Sequence, residues 1–218
     1  MRYPEETSGP YPADGSICTN GRTTNALRRD GIVRSDIRRS FGAATGIAQG
    51  VSLTLSLWLL SASDVRAPLP GYAVYVWQCT ADGLYSMYAD GVASENYLRG
   101  VQAADGKGRV TFRSIFPGCY WGRYPHIHFE IYPSLGMAKT YENRILTSQM
   151  AMPRDIASDV YSNVSAYGSS MNNLRSITVS RDEVFGDNTA EELRLMTPRM
   201  SGNTDDGYSA ELVVALAR

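Results

Sequence analysis

Histidine is almost absent from this chain of 218 residues: there are two, His126 and His128, and they stand two positions apart. With no third histidine, a zinc centre built on three imidazoles is excluded. Cysteine is nearly as scarce. The three present, Cys18, Cys79 and Cys119, form no C-x-x-C pair, so neither a thiolate zinc site nor a dithiol redox motif is supported. A bridge between Cys79 and Cys119 would brace the region around the histidines, and free buried thiols fit the sequence equally well. An excess of either charge is also lacking. Twenty-one Lys and Arg face 22 Asp and Glu, a net charge of −1 that offers no field to nucleic acid or to an anionic membrane. The pairs Arg28-Arg29 and Arg38-Arg39 are too short for a nucleic-acid stripe and read as solvated or ion-paired. There is no long hydrophobic run, since Val51–Leu60 is too short to span a bilayer as a helix. The opening Met1-Arg2-Tyr3-Pro4-Glu5-Glu6 has no apolar stretch, so no signal peptide is expected in this chain, which leaves a cytoplasmic location open.

What is present suits a packed β protein. Hydrophobic residues make up 43% and charged residues 20%, ordinary for a globular chain with a real core. Residues 51–60 alternate, with Val51, Leu53, Leu55, Leu57 and Leu59 on one face, the pattern of a strand with one buried side. Tyr72–Trp77, Arg109–Phe112, Ile177–Val179 and the tail from Tyr208 read as further strands. Asp105-Gly106-Lys107-Gly108 reads as a hairpin turn. A short helix is expected over Asp155–Val164. Residues 1–40, rich in Pro, Gly, Asp and Asn, read as an extended arm over the core or a neighbouring subunit, which is compatible with a homodimer. The expectation is one domain over 1–218: a mainly β, antiparallel β-sandwich with an extended N-terminal arm and few short helices.

The stretch Pro117–Glu130 carries the chemistry. His128-Phe129-Glu130-Ile131-Tyr132 alternates as a strand, so His126 and His128 project from one face toward one point. Converging imidazoles suit iron, copper or zinc, and two of them do not fill a coordination sphere. One completion is Glu130, two further along the same face, giving a 2-His-1-carboxylate site for Fe(II) or Mn. The other is tyrosinate. Tyr120 follows a Pro-Gly turn six residues before His126, and a ferric ion would hold a phenol ionised well below its usual pKa of about 10.

Five stretches then fall in a telling order: Trp77-Gln78-Cys79-Thr80-Ala81-Asp82-Gly83-Leu84-Tyr85, Tyr97-Leu98-Arg99-Gly100-Val101-Gln102, Gly108-Arg109-Val110-Thr111-Phe112, Pro117-Gly118-Cys119-Tyr120 and Arg123-Tyr124-Pro125-His126-Ile127-His128-Phe129. Together with Glu6-Thr7-Ser8-Gly9-Pro10-Tyr11 they resemble the intradiol ring-cleavage dioxygenases over most of residues 5–150. The short spacing from Tyr120 to His126 is most similar to the small secreted branch of that family, which implies an extracellular location. The resemblance implies a non-haem Fe(III) on a β-sandwich, with catechol-type aromatic diols and O2 as substrates. Carried over by position, Tyr85 and His126 match the equatorial ligands, and Tyr120 and His128 the axial pair. Arg123 matches the arginine beside the substrate and Gln149 a glutamine behind it. Tyr88 competes with Tyr85, and the eight-residue interval from Trp77 favours Tyr85. Trp121 and Tyr124 are candidates for an aromatic wall. A non-catalytic transthyretin-like sandwich is the contrasting reading.

Overall fold

A computed structural model describes residues 2–19, 22–64 and 67–217. In chain order the strands begin with β1 (Asp14–Thr19), β2 (Arg22–Asn25), β3 (Ser52–Ser61), β4 (Ala73–Trp77) and β5 (Arg99–Ala103). They continue with β6 (Arg109–Ile115), β7 (His126–Tyr132), β8 (Leu146–Ala151), β9 (Arg199–Asn203) and β10 (Gly207–Leu216). Three short α-helices, α1 (Arg154–Asn163), α2 (Ser170–Ser176) and α3 (Ala190–Met196), fall between β8 and β9.

Two four-stranded sheets form the sandwich, one ordered β5-β4-β7-β8 and the other β6-β3-β10-β9, with β1 and β2 pairing separately. The first is antiparallel throughout. In the second, β3 and β10 run parallel and their other neighbours antiparallel. Period-two alternation explains the core. Leu53, Leu55, Leu57 and Leu59 of β3 meet Val74 and Val76 of β4 and Ile127, Phe129 and Ile131 of β7 in one buried cluster. At roughly 1.5–3 kcal/mol for each large side chain buried, this layer is the main source of stability.

The β5-β4-β7-β8 sheet is covered on its other face too, which is why every residue of β4 and β7 is buried. Ala73, Tyr75 and Trp77 of β4 and Tyr132 of β7 pack there against Ala13, Ala26, Leu27 and Ile32 of the N-terminal arm. The arm therefore lies over its own core and folds back on itself as β1 and β2. Further on, Val33 bridges to Val101 of β5 and Asp36 to Arg113 of β6, so one segment pairs along an edge of both sheets.

Three local expectations change. Asp105–Arg109 does close a tight turn, with Gly108 N–H donating to Asp105 O at 2.9 Å. The strands it joins, however, lie in different sheets, so it crosses the sandwich instead of making a hairpin. Ile177-Thr178-Val179 is not a strand: a 3-10 turn, Val179–Arg181, begins inside it. Beyond the helix expected at 155–164, α2 and α3 were not anticipated, although Thr189 and Glu192 form a capping box at the start of α3. No helix among the described residues is long and apolar enough to cross a membrane.

Candidate metal centre

His126 and His128 leave β7 on the arm-covered face and meet with their Nε2 atoms 3.0 Å apart. Their orientations are fixed from behind. His126 Nδ1–H donates to Tyr124 O at 2.6 Å, which leaves the Nε2 lone pair facing the centre. His128 stacks on Trp77, its register partner on β4, with centroids 4.8 Å apart and planes 8° from parallel. Two phenols complete the group. Tyr85, from the loop after β4, places its hydroxyl 3.3 Å from His126 Nε2, and Tyr120, from the loop before β7, places its own at 3.4 Å. The loops interlock: Gly83 has φ +90°, and a Cβ there would come within 2.9 Å of the Tyr120 Cβ. Only glycine suits that turn.

Three polar groups thus crowd one imidazole lone pair, an arrangement hydrogen bonding alone does not satisfy. The donor set fits a cation. Ligands about 2.1 Å from one ion and at right angles lie about 3.0 Å from each other, close to the spacing seen here. Among the described residues no cluster of three or more His, Cys, Asp or Glu gathers to hold an ion, so the phenols are the groups that complete the set. The pocket is dry. Burial pushes the Tyr85 phenol well above its ordinary value and Tyr120 to about 12, the latter opposed by Arg123. Burial, then the Arg123 charge, lowers His126; burial, then His126, lowers His128 well below the usual imidazole value. Both rings are neutral and able to donate lone pairs.

Arg123 and Gln149 arrive beside the four donors. Gln149 lies on β8 opposite His128. Its Oε1 accepts from Arg123 Nη2 at 2.7 Å, and its Nε2 donates to Thr7 O of the arm at 2.9 Å. Sequence reading missed β8, because Leu146–Ala151 does not alternate: both faces are buried. Arg123 is ion-paired to Asp182, with Nε 2.9 Å from Oδ2. Glu130 does not join the imidazoles. It accepts from Tyr132 Oη at 2.6 Å and from Thr147 Oγ1 at 3.3 Å, which removes the 2-His-1-carboxylate arrangement.

Tyr88 also turns away. Met87 adopts φ +71° between it and Tyr85, and Tyr88 Oη instead accepts from Ala13 N at 2.9 Å. Tyr124 is buried in the core against Phe185, so only Trp121, 85% exposed, is left for an aromatic wall. Cys79 and Cys119 are buried free thiols, and the Cys18 side chain lies outside the described residues.

Sequence reading also missed the supports of this loop. Tyr161 of α1 donates to Pro117 O at 2.8 Å, and on α2 Ser170 Oγ accepts from Cys119 N at 3.0 Å while Asn173 donates to Cys119 O at 2.7 Å. Arg99, fully buried on β5, donates to Tyr11 O and Ser86 O at 2.9 Å and to Pro12 O at 3.0 Å, tying the arm to the Tyr85 loop. A groove of about 830 Å3 opens between α3, β9 and β10, and none of the four donors lines it.

The protein family described as Dioxygenase matches residues 42–163, more than half of the chain, and the chain belongs to it. Its fold is the one seen in solved intradiol ring-cleavage dioxygenases. An intradiol ring-cleavage dioxygenase from Tetranychus urticae superposes with a TM-score of 0.73 at 23% identity, over 100% of this chain and 95% of that one. The dioxygenase domain of a dioxygenase carbohydrate-binding protein fusion from Streptomyces sp. SirexAA-E gives 0.60 at 20% identity, over 100% and 99%. The 3-chlorocatechol 1,2-dioxygenase from Rhodococcus opacus 1CP gives 0.53 at 16%, over 84% and 65%. No curated protein matches the chain.

Proposed function

We propose that this protein is a non-haem Fe(III) enzyme that inserts both atoms of O2 into a catechol-type aromatic diol and opens the ring between its two hydroxyl-bearing carbons, giving a cis,cis-muconate-type diacid. One observation carries the reading: two phenols and a second neutral imidazole, with His126 from three separate segments, lie 3.0–3.4 Å from His126 Nε2 in a buried pocket. Tyr85, Tyr120, His126 and His128 would hold the iron. Bound there, ferric iron supplies Lewis acidity and an electronic partner for the electron-rich ring.

The chain's own groups do the rest. Tyr120 is half-buried where Tyr85 is fully buried, so its oxygen is the one placed to take up a proton that a diol gives up on entering. Arg123 presents positive charge near both phenols, where negative charge on the ring would be steadied. Gln149 holds that guanidinium from the β8 side. The arm excludes water, with Gly9 lying 3.3 Å from the His128 ring as measured from the position of a Cβ.

The test is a visible absorption spectrum of iron-loaded protein, before and after anaerobic catechol, beside Tyr85→Phe and Tyr120→Phe. Phenolate bound to ferric iron absorbs in the visible. A broad band that shifts to longer wavelength with catechol and weakens in either variant, together with O2 uptake on aeration, is the expected result. Colourless protein carrying stoichiometric iron would refute it.

A further inference from the structure

Asp182 lies outside the family-matched residues, 42–163, yet it is the most heavily bonded carboxylate beside the four donors. It is buried at the C-terminal end of the Val179–Arg181 turn. Oδ2 accepts from Arg123 Nε at 2.9 Å and from Tyr124 N at 2.6 Å. Oδ1 accepts from Arg123 Nη2 at 3.2 Å, Val184 N at 2.9 Å and Phe185 N at 3.1 Å. Three backbone amides therefore fix the carboxylate before it meets the guanidinium, and a planar fork held by two bonds has its direction set. Nη2 is shared with Gln149 Oε1 at 2.7 Å, which leaves Nη1 as the guanidinium nitrogen with no partner among the described residues.

The same pairing cancels charge. Arg123 is matched by one buried carboxylate, and Glu183 adds a second, exposed, at 3.9 Å from Nε. On the arm side Glu6, bonded by Asn188 Nδ2 at 2.7 Å, lies close enough to feel both Arg123 and Asp182. An arginine so surrounded can still steady charge developing on the ring beside it, but its charge is already matched by carboxylates, and an anionic ring substituent would meet those acidic neighbours as well.

We infer that Asp182 is a positioning and specificity-determining residue: it aims Arg123 Nη1 into the site and offsets its charge, so that the enzyme selects uncharged diols over carboxylated ones. This rests on the catechol-cleaving reading above. The experiment measures steady-state O2 uptake by iron-loaded protein with catechol and with 3,4-dihydroxybenzoate, alongside melting temperature and anaerobic titration of each diol. Wild type should prefer catechol. Asp182→Asn, which keeps the shape and loses the charge, should lower kcat for catechol about tenfold and shift the preference in kcat/KM about tenfold toward 3,4-dihydroxybenzoate, with tighter anaerobic binding of that acid. In an Arg123→Gln background the same change should leave kcat alone, because Asp182 acts through Arg123.

Asp182→Glu separates the two roles and serves if the Asn variant does not fold. It keeps the charge and moves it, so turnover should fall while the preference holds. Active wild type with an unchanged Asp182→Asn preference, or an equal kcat loss in the Arg123→Gln background, would overturn the inference and leave the catechol reading standing. If Asp182→Asn is unfolded, an unchanged kcat in Asp182→Glu would overturn it. Wild type inactive on both diols would remove that reading and this inference with it.

Discussion

Gly9 is a point where the arm lies against His128, and Gly9→Ala is a sharp test of how the arm is seated. Two costs add. The residue sits at φ +66°, a region an L side chain occupies at a cost of roughly 1–2 kcal/mol. The new methyl would stand 3.3 Å from His128 Cε1, tighter than ordinary packing, so either ring or arm must yield by a few tenths of an ångström. The ring has little room, since Trp77 stacks on it at 4.8 Å. The arm is the softer partner. It is tied at Thr7 O by Gln149 Nε2 at 2.9 Å, at Glu6 N to Thr147 O at 2.8 Å and at Tyr11 O by Arg99, so lifting it strains bonds on both sides of Gly9. A total near 2 kcal/mol lowers Tm by about 4–8 °C for a chain of this size. Iron affinity should fall with it, because His128 is the displaced group. Thermal unfolding and iron titration read the two effects. A variant with wild-type Tm and wild-type iron affinity would show that the arm does not rest on His128.

Glu130 gives a pH dependence. Burial, then the neighbouring Asp14, raises its carboxyl from 4.5 to about 8, so the native state keeps a proton that the unfolded chain loses. Fewer protons on the unfolded state mean that stability is full below about pH 4.5 and declines as pH rises toward about 8. Glu130→Gln should therefore raise Tm at pH 8 and converge with wild type near pH 4; equal pH profiles would refute a neutral Glu130. Trp121→Ala, at a side chain 85% exposed, should leave Tm unchanged while raising KM several-fold for bulky 4-substituted catechols. An unchanged KM for those substrates would remove Trp121 from the site mouth.

The parts of this protein legible in its sequence are those set by local periodicity. The alternation of Leu53, Leu55, Leu57 and Leu59 placed β3, and the two-residue step from His126 to His128 placed both rings on one face. Tyr120 was singled out by its Pro-Gly turn six residues before His126 and Tyr85 through the family resemblance, and the structure brings both to His126. What stayed hidden depends on tertiary cover. Leu146–Ala151 carries no alternation because both its faces are buried, so the strand holding Gln149 was unreadable. Asp182 looks like any acidic residue in a polar stretch until the fold brings Arg123 to it across 59 positions. Glu130 was placed on the correct face, but its carboxyl is claimed by Tyr132 and Thr147.

A sheet buried on both faces explains why these errors and these successes belong together. One face of β4 and β7 makes the sandwich core, and its residues obey simple hydrophobic patterning. The other face carries Tyr75, Trp77, His128, Glu130 and Tyr132, polar or amphipathic groups that would ordinarily sit in water. The arm closes over them, and each buried polar group must then find a partner or stay costly. Tyr75 finds Pro12 O at 2.7 Å, and Tyr132 finds Glu130. Among the described residues His128 Nδ1 finds none, its Nε2 meets that of His126, and the two phenols approach His126 Nε2. Trp77 Nε1 and, on the arm, Asp14 Oδ2 are also without partners among the described residues, but it is at the two imidazoles and two phenols that lone pairs converge, and there a cation would satisfy the most donors at once.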